Sequence, residues 1–269
     1  MGKILYDWKQ PDLVLLRHAV FDRLRKDRDW KMVENEMRYF DPYIELKSPD
    51  HQGLLFFQIE EVVWRLLVEG VLSPGFNSAN PKLPWFHLTD FGNMVINSPE
   101  PNPYDSLGYI KHIRSQISNP DNTVLAYLSE SLSTYHHGNT VASTMMLGIA
   151  AERVFLLLCS SMSAAISSTK EKSDFEKILI RFPIKPKFDW MRLKIESLQT
   201  AKLTGFPDNA GIMITAIYDL LRGQRNDLGH PRDTPPVLSR EDAFVNLQIF
   251  PRYYQTAETI RLFLAANKI

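Results

Sequence analysis

The sequence predicts a mainly α protein, with a helical bundle over its C-terminal part and a smaller α+β domain before it. Three observations lead there. Apolar residues recur at helical spacing over long stretches downstream of Asn119. Upstream, a helical pattern from Leu54 to Val71 gives way to turn residues and one short strand-like run, the order helix, strand, loop, strand. Between them, Asn97 to Tyr104 reads Asn-Ser-Pro-Glu-Pro-Asn-Pro-Tyr, whose three prolines cannot continue a helix or a central strand. The resulting division is an N-terminal domain with a helical extension over 1–97, a linker over 98–119 and a bundle over 120–269.

In the first part, Leu13 to Leu24 and Leu54 to Val71 carry apolar side chains at helical spacing. Ser73-Pro74-Gly75 and Asn80-Pro81 are turn chemistry, and Trp85-Phe86-His87-Leu88 reads as a short half-buried strand ending at Thr89-Asp90. The runs Leu66 to Leu72 and Pro84 to Gly92 resemble the recognition-helix end and the wing of a winged helix-turn-helix. DNA reading does not follow. The candidate recognition helix offers only Gln58 and Arg65 beside Glu60, Glu61 and Glu69, and carboxylates repel phosphate. A protein-contact or spacer role fits this half better than base readout.

The bundle is written more plainly. Asn119-Pro120-Asp121-Asn122 opens a helix whose face repeats Val124, Leu125, Leu128, Leu132 and Tyr135, and Gly138 ends it. A longer helix from Thr140 to Ile166 is apolar almost all round, as befits a central member. Ser173 and Glu176 suggest a capping box for a short helix, and Pro183 and Pro186 separate it from a helix over Phe188 to Ala201. Asp208 or Asn209 caps a stretch from Ala210 to about Asp227, and Ser239 opens a last helix reaching Ala266, bent at Pro251.

Composition narrows the function classes. A chain of 269 residues would expose roughly 12,000 Å² folded against about 45,000 Å² unfolded, enough burial to need no covalent staples. With Cys159 the sole cysteine, no internal disulfide can form, and a reducing cytosol is the expected compartment. The greasy run Leu147 to Ile166 is interrupted by Glu152 and Arg153, which argues against a spanning helix. Thirty-one basic residues balance thirty-one acidic ones, so any nucleic-acid contact must be local. The densest basic stretch is Lys170 to Lys202, where nine Lys or Arg accompany five Asp or Glu. Its Lys185, Lys187, Arg192 and Lys194, set around Phe188 and Trp190, are candidate RNA contacts. Core packing of the two aromatics with solvated lysines is the competing reading.

The sharpest local signal is Leu221-Arg222-Gly223-Gln224-Arg225-Asn226-Asp227-Leu228-Gly229-His230-Pro231. On an unbroken helix Arg225 and His230 would point about 140° apart. Gly229 suits the left-handed residue after a helix end, and Pro231 biases His230 toward an extended backbone, which lets the imidazole swing back over the last turn. An Arg with a polar neighbour, followed after four residues by His, at the end of the third helix of such a bundle, resembles the HEPN superfamily. The resemblance spans about 120–269.

That resemblance implies a metal-independent endoribonuclease with Arg225, Asn226 and His230 as its catalytic residues, no cofactor, and a homodimer formed through the bundle. It also implies a toxin or phage-defence role, with an antitoxin or other protein as partner. The residue types suit the chemistry. Imidazole titrates near neutrality and can carry the proton of a ribose 2′-hydroxyl, while a guanidinium meets the charge that grows on phosphoryl oxygens. His136 and His137 belong to the same bundle end if the topology alternates, as auxiliary phosphate contacts or as helix caps. Neither these histidines nor Cys159 forms a zinc set. Two other readings remain open at this level: a non-catalytic dimerisation or regulatory protein, in which Arg225 pairs with Asp227 or Glu152, and a winged-helix transcriptional regulator.

Overall fold

The computed structural model describes residues 12–27, 31–33, 44, 49–99, 101–208, 210–211, 214–215, 218, 233 and 238–269. The chain is mainly helical. Nine helices and one two-stranded sheet occur among the described residues, and the chain divides into two compact units, Met1–His112 and Ile113–Ile269.

In the first unit, α1 (Leu13–Lys26) starts at Asp12, whose carboxylate accepts from the amides of Val14 and Leu15. α2 (Pro49–Val68) buries Leu55, Ile59, Val62, Val63 and Leu66 at helical spacing. It ends in a paired set of bonds, Val71 N–H to the Leu66 carbonyl and Gly70 N–H to that of Leu67, with Gly70 left-handed at φ 76°. That turn delivers the chain into β1 (Leu72–Pro74), which pairs antiparallel with β2 (Phe86–Leu88) in the register Leu72↔Leu88, Ser73↔His87, Pro74↔Phe86. Ser73 and Pro74, expected in a turn, are therefore strand residues, and the turn begins at Gly75. A further bridge joins Met32 to Trp85. α3 (Asp90–Asn97) is capped by Thr89. A Cβ on its Gly92 would stand 1.9 Å from the Val71 carbonyl oxygen, so only glycine lets α3 lie this close to the turn.

The stretch 98–119, expected as a linker, carries α4 (Ser106–Gln116) instead. The prolines stop α3 as expected, but the chain beyond it is packed. Asn102 is fully buried, donates to the Val95 carbonyl and accepts from the Tyr104 amide, supplying bonds that prolines cannot. Tyr104 and Tyr109 are buried beside it in sequence.

In the second unit, α5 (Asn122–His136) and α6 (Thr140–Ala165) form a hairpin through left-handed Gly138. α7 (Thr169–Leu179) begins at Ser168, which accepts from the Glu171 amide. The Ser-x-x-Glu signature thus operates five residues earlier than Ser173 and Glu176 suggest. α8 (Lys185–Thr200) takes Pro186 into its first turn, where the missing N–H costs no bond, rather than starting after it. Ala210, Gly211, Ile214, Thr215 and Tyr218 are helical, and α9 (Arg240–Ala266) contains Pro251.

α6 packs against α5 and α9. It is long and apolar enough to cross a membrane, yet half of its apolar window is buried inside the protein. Thr140 Oγ1 donates to the Leu238 carbonyl at one end, and Ile269 N–H donates to the Ala165 carbonyl at the other, so α6 and α9 run parallel. Between those ends, Tyr253 donates its hydroxyl to the Ala151 carbonyl at 3.0 Å. The Phe155 ring stacks on Tyr218 at 4.5 Å and lies 6.1 Å from Phe188, while Phe175 stacks on Trp190 at 3.8 Å.

Two outcomes are expected for this core. Phe155→Ala removes a fully buried ring from the stack, and the helical unit is expected to lose about 3–5 kcal/mol in urea denaturation. Burial pushes the Cys159 thiol well above its ordinary range. A chromogenic disulfide reagent should therefore leave Cys159 untouched at pH 8 in the native protein and label one thiol per chain once it is unfolded.

Candidate functional site

Arg225, Asn226 and His230 lie outside the described residues. The flanks of their segment are described. Tyr218 is buried against Phe155 on α6, and Leu238 is held by Thr140 at the first turn of the same helix. The α5–α6 turn and the start of α9 therefore build one end of the helical unit. Tyr135 forms its floor, with the Arg240 guanidinium 5.3 Å over its ring and Phe244 6.5 Å away. Ser239 caps α9 by accepting from the Asp242 amide at 3.0 Å. Asn139 precedes α6 without a side-chain cap bond.

His136 and His137 stand at this end. His137 donates from Nδ1 to the Ser133 carbonyl at 2.8 Å, the capping use of a helix-terminal histidine. That bond fixes the neutral ring in the tautomer with Nε2 unprotonated, on a side chain exposed to solvent. His136 is half-buried, its ring tilted against Tyr135.

The opposite end of α5 is fixed by charge. Asp121 caps the helix by accepting from the Val124 amide at 3.0 Å. Arg153, midway along α6, grips both carboxylate oxygens, Nε to Oδ1 at 3.2 Å and Nη2 to Oδ2 at 2.9 Å. Tyr254 on α9 accepts from the Asp121 amide at 2.8 Å. Three helices meet on one aspartate. The hydrogen bond from Arg153 holds the Asp121 carboxyl below the usual carboxylate range, with the Val124 amide contributing in the same direction. A charge inside an apolar helix calls for an ion pair, and Arg153 has one; its partner lies 32 residues upstream, a separation that no local pattern encodes.

Four basic residues of the Lys170 to Lys202 stretch are engaged within the fold. Lys187 is only 6% exposed and donates to the Arg181 carbonyl. Lys194 meets Glu171 at 2.6 Å, Arg192 meets Glu196 at 3.1 Å and Lys185 approaches Asp189 at 3.6 Å. Burial removes Lys187 from the candidate RNA contacts, and the other three spend charge on neighbours. Phe188 is buried and Trp190 is stacked on Phe175, which is core packing. What the sequence left unmarked is the α7–α8 turn, where Phe182 is 99% exposed beside exposed Ile180 and Arg181.

In the first unit, the Asp105 carboxylate accepts from His18 Nδ1 at 2.5 Å and from the Gly108 amide at 3.0 Å, tying α1 to the start of α4. Arg17 forks onto both oxygens of Glu69, at 3.1 and 2.6 Å. Glu69 is thus an internal anchor, and Gln58 is buried. Neither is presented as a base-reading side chain. Among the described residues no group of three or more His, Cys, Asp or Glu is arranged to hold a metal ion.

Comparison with known proteins finds no similar family model, curated protein or solved structure.

The Asp121 node makes a pH statement. A carboxyl held low when folded contributes fully above its unfolded value of about 4, and the contribution is lost as pH falls through the folded value. Asp121→Asn keeps an N-cap and loses the charge. It should cost about 1 kcal/mol at pH 7 and flatten the fall in stability as pH drops below about 4, read by urea titrations at neutral and acid pH.

Proposed function

We propose that this chain is a cytoplasmic, metal-independent endoribonuclease of the HEPN type, acting as a toxin or phage-defence effector. Its catalytic residues are Arg225, Asn226 and His230, and it works as a homodimer through the helical unit. The observation that supports this reading most directly is the Arg225-Asn226 to Gly229-His230-Pro231 motif, carried between two points that are both bound to α6, Tyr218 beside Phe155 and Leu238 beside Thr140. Four-helix bundles build sites from facing helices at such positions. The parallel course of α6 and α9 agrees with an alternating topology in which the motif segment returns to the end that carries His136 and His137.

His230 takes the proton of the 2′-hydroxyl as that oxygen attacks the adjacent phosphorus. The bond to the 5′-oxygen breaks, and a proton is delivered to the leaving oxygen. Arg225 offers two parallel N–H donors to the phosphoryl oxygens, where negative charge gathers in the pentacoordinate state. Asn226 orients the imidazole or the scissile phosphate. The products are a 2′,3′-cyclic phosphate and a 5′-hydroxyl, and DNA is spared because it lacks the attacking group. The first unit, with α2 leading into the β1–β2 hairpin, is read as a winged-helix-like module whose carboxylates suit protein contact better than duplex DNA.

A second reading is a non-catalytic dimerisation or regulatory protein. It is favoured by one observation: Lys185, Lys187, Arg192 and Lys194, the basic residues set around Phe188 and Trp190, are each engaged by a group of their own unit.

The experiment is cleavage of mixed-sequence RNA in EDTA. The nuclease reading expects His230→Ala and Arg225→Ala each to lower the rate at least about 100-fold. It also expects cyclic-phosphate ends on the products and no cut where the 2′-hydroxyl is replaced by hydrogen. Equal, negligible cleavage by wild type and His230→Ala on every RNA tried would leave the regulatory reading.

A further inference from the structure

α2 has two apolar faces, and among the described residues the fold buries one. Leu55, Ile59, Val62, Val63 and Leu66 are buried. On the other face, Leu54, Phe57, Trp64 and Val68 are exposed by 44%, 66%, 58% and 74%. With Glu61 between Phe57 and Trp64, these positions step by three, four, three and four residues, the spacing of a helix–helix seam. The stripe is roughly 21 Å long at the rise of an α-helix, about four turns. Beside it opens a cavity of ≈ 450 Å³ lined, among the described residues, by Phe56, Phe57, Trp64 and Leu67 of α2 with Val33 and Leu83. Single exposed apolar side chains are ordinary; four on one helix face, a Trp among them and a cleft alongside, have the form of a recognition face.

Charge decides the occupant. Glu61 sits at the middle of the seam with Glu60 flanking it, and Arg65, the one basic residue of α2 past its first turn, is bonded back to Glu61 at 2.8 Å and offsets one of the two charges, so the face keeps a net negative charge. A second copy is disfavoured: pairing of two α2 helices about a two-fold axis centred on the stripe sets Glu61 against Glu61, and like charges in a seam repel. A basic segment gains where a copy loses.

We propose that the exposed face of α2 is a docking groove for a basic amphipathic helix of a partner protein. The ligand is about four turns long, presents apolar side chains at three- and four-residue steps to Phe57, Trp64 and Val68, and carries Lys or Arg opposite Glu60 and Glu61. The inference is independent of the nuclease reading, since it uses only the first unit and needs no catalysis.

The test uses the full chain and two fluorescein-labelled peptides of about 16 residues, each with Leu on one seam. One carries Lys at the flanking positions and the other Glu. Fluorescence anisotropy should show saturable binding of the Lys peptide, weakened at least about tenfold by Trp64→Ala and by the double change Glu60→Lys with Glu61→Lys. The Glu peptide should bind at least about tenfold more weakly than the Lys peptide. Trp64 is exposed, so its replacement should leave the circular dichroism melt unchanged, which separates loss of docking from loss of fold. Three results would overturn the proposal: equal binding of both peptides, no binding of either, or Lys-peptide binding indifferent to Trp64→Ala. A dimer seen by light scattering that Trp64→Ala dissolves would assign the stripe to a second copy and overturn it too.

Discussion

A helix that is apolar around most of its circumference has to be surrounded, and α6 imposes that demand on the C-terminal unit. Ala150, Leu147, Leu158, Phe155 and Cys159 are all buried and together span about half of the helix circumference. α5 covers one flank through Leu125, Leu128 and Leu132, and α9 covers another through Leu247, Phe250 and Tyr254. Tyr218, stacked on the Phe155 ring of α6, and Phe188, tilted against both, close a third side. α6 is therefore the element against which the others are placed, and the flanks of the motif segment are defined by where they touch it.

One polar station interrupts this apolar contact, and it is built economically. Asp121 serves as N-cap, as the carboxylate for Arg153 and, through its amide, as a donor to Tyr254. Two of its three partners sit on helices far away in sequence. A charge in the middle of a core helix is thereby satisfied by a helix terminus, which keeps both near water and spares the desolvation cost of a deeply buried pair.

The periodic elements were legible because their signal is local. The spacing of Val124 to Tyr135, the all-round apolarity from Thr140 and the Ser239 start each correspond to an observed helix. α4 was hidden because three prolines in eight residues look like a breaker, and only the buried Asn102 reveals that the turn is packed. The shift of the α7 cap from Ser173 to Ser168 turns on a choice between two serines, each followed by Glu at the third position, which sequence alone does not rank. The basic stretch shows a different limit: composition counts charges, whereas the contacts of Lys187 and Lys194 are set by tertiary packing. Arg225, Asn226 and His230 were legible as a motif, and their mutual geometry belongs to no local rule.

The parallel course of α6 and α9 has an electrical side. Each helix concentrates roughly half a unit of positive charge at its amino end. Among the described residues, the starts of α6 and α9 bring two such ends together beside the carboxyl end of α5. The two amino ends favour an anion beside them, and the α5 carboxyl end opposes it. Peptide dipoles do not titrate, and no rearrangement of lysine ion pairs can switch them off.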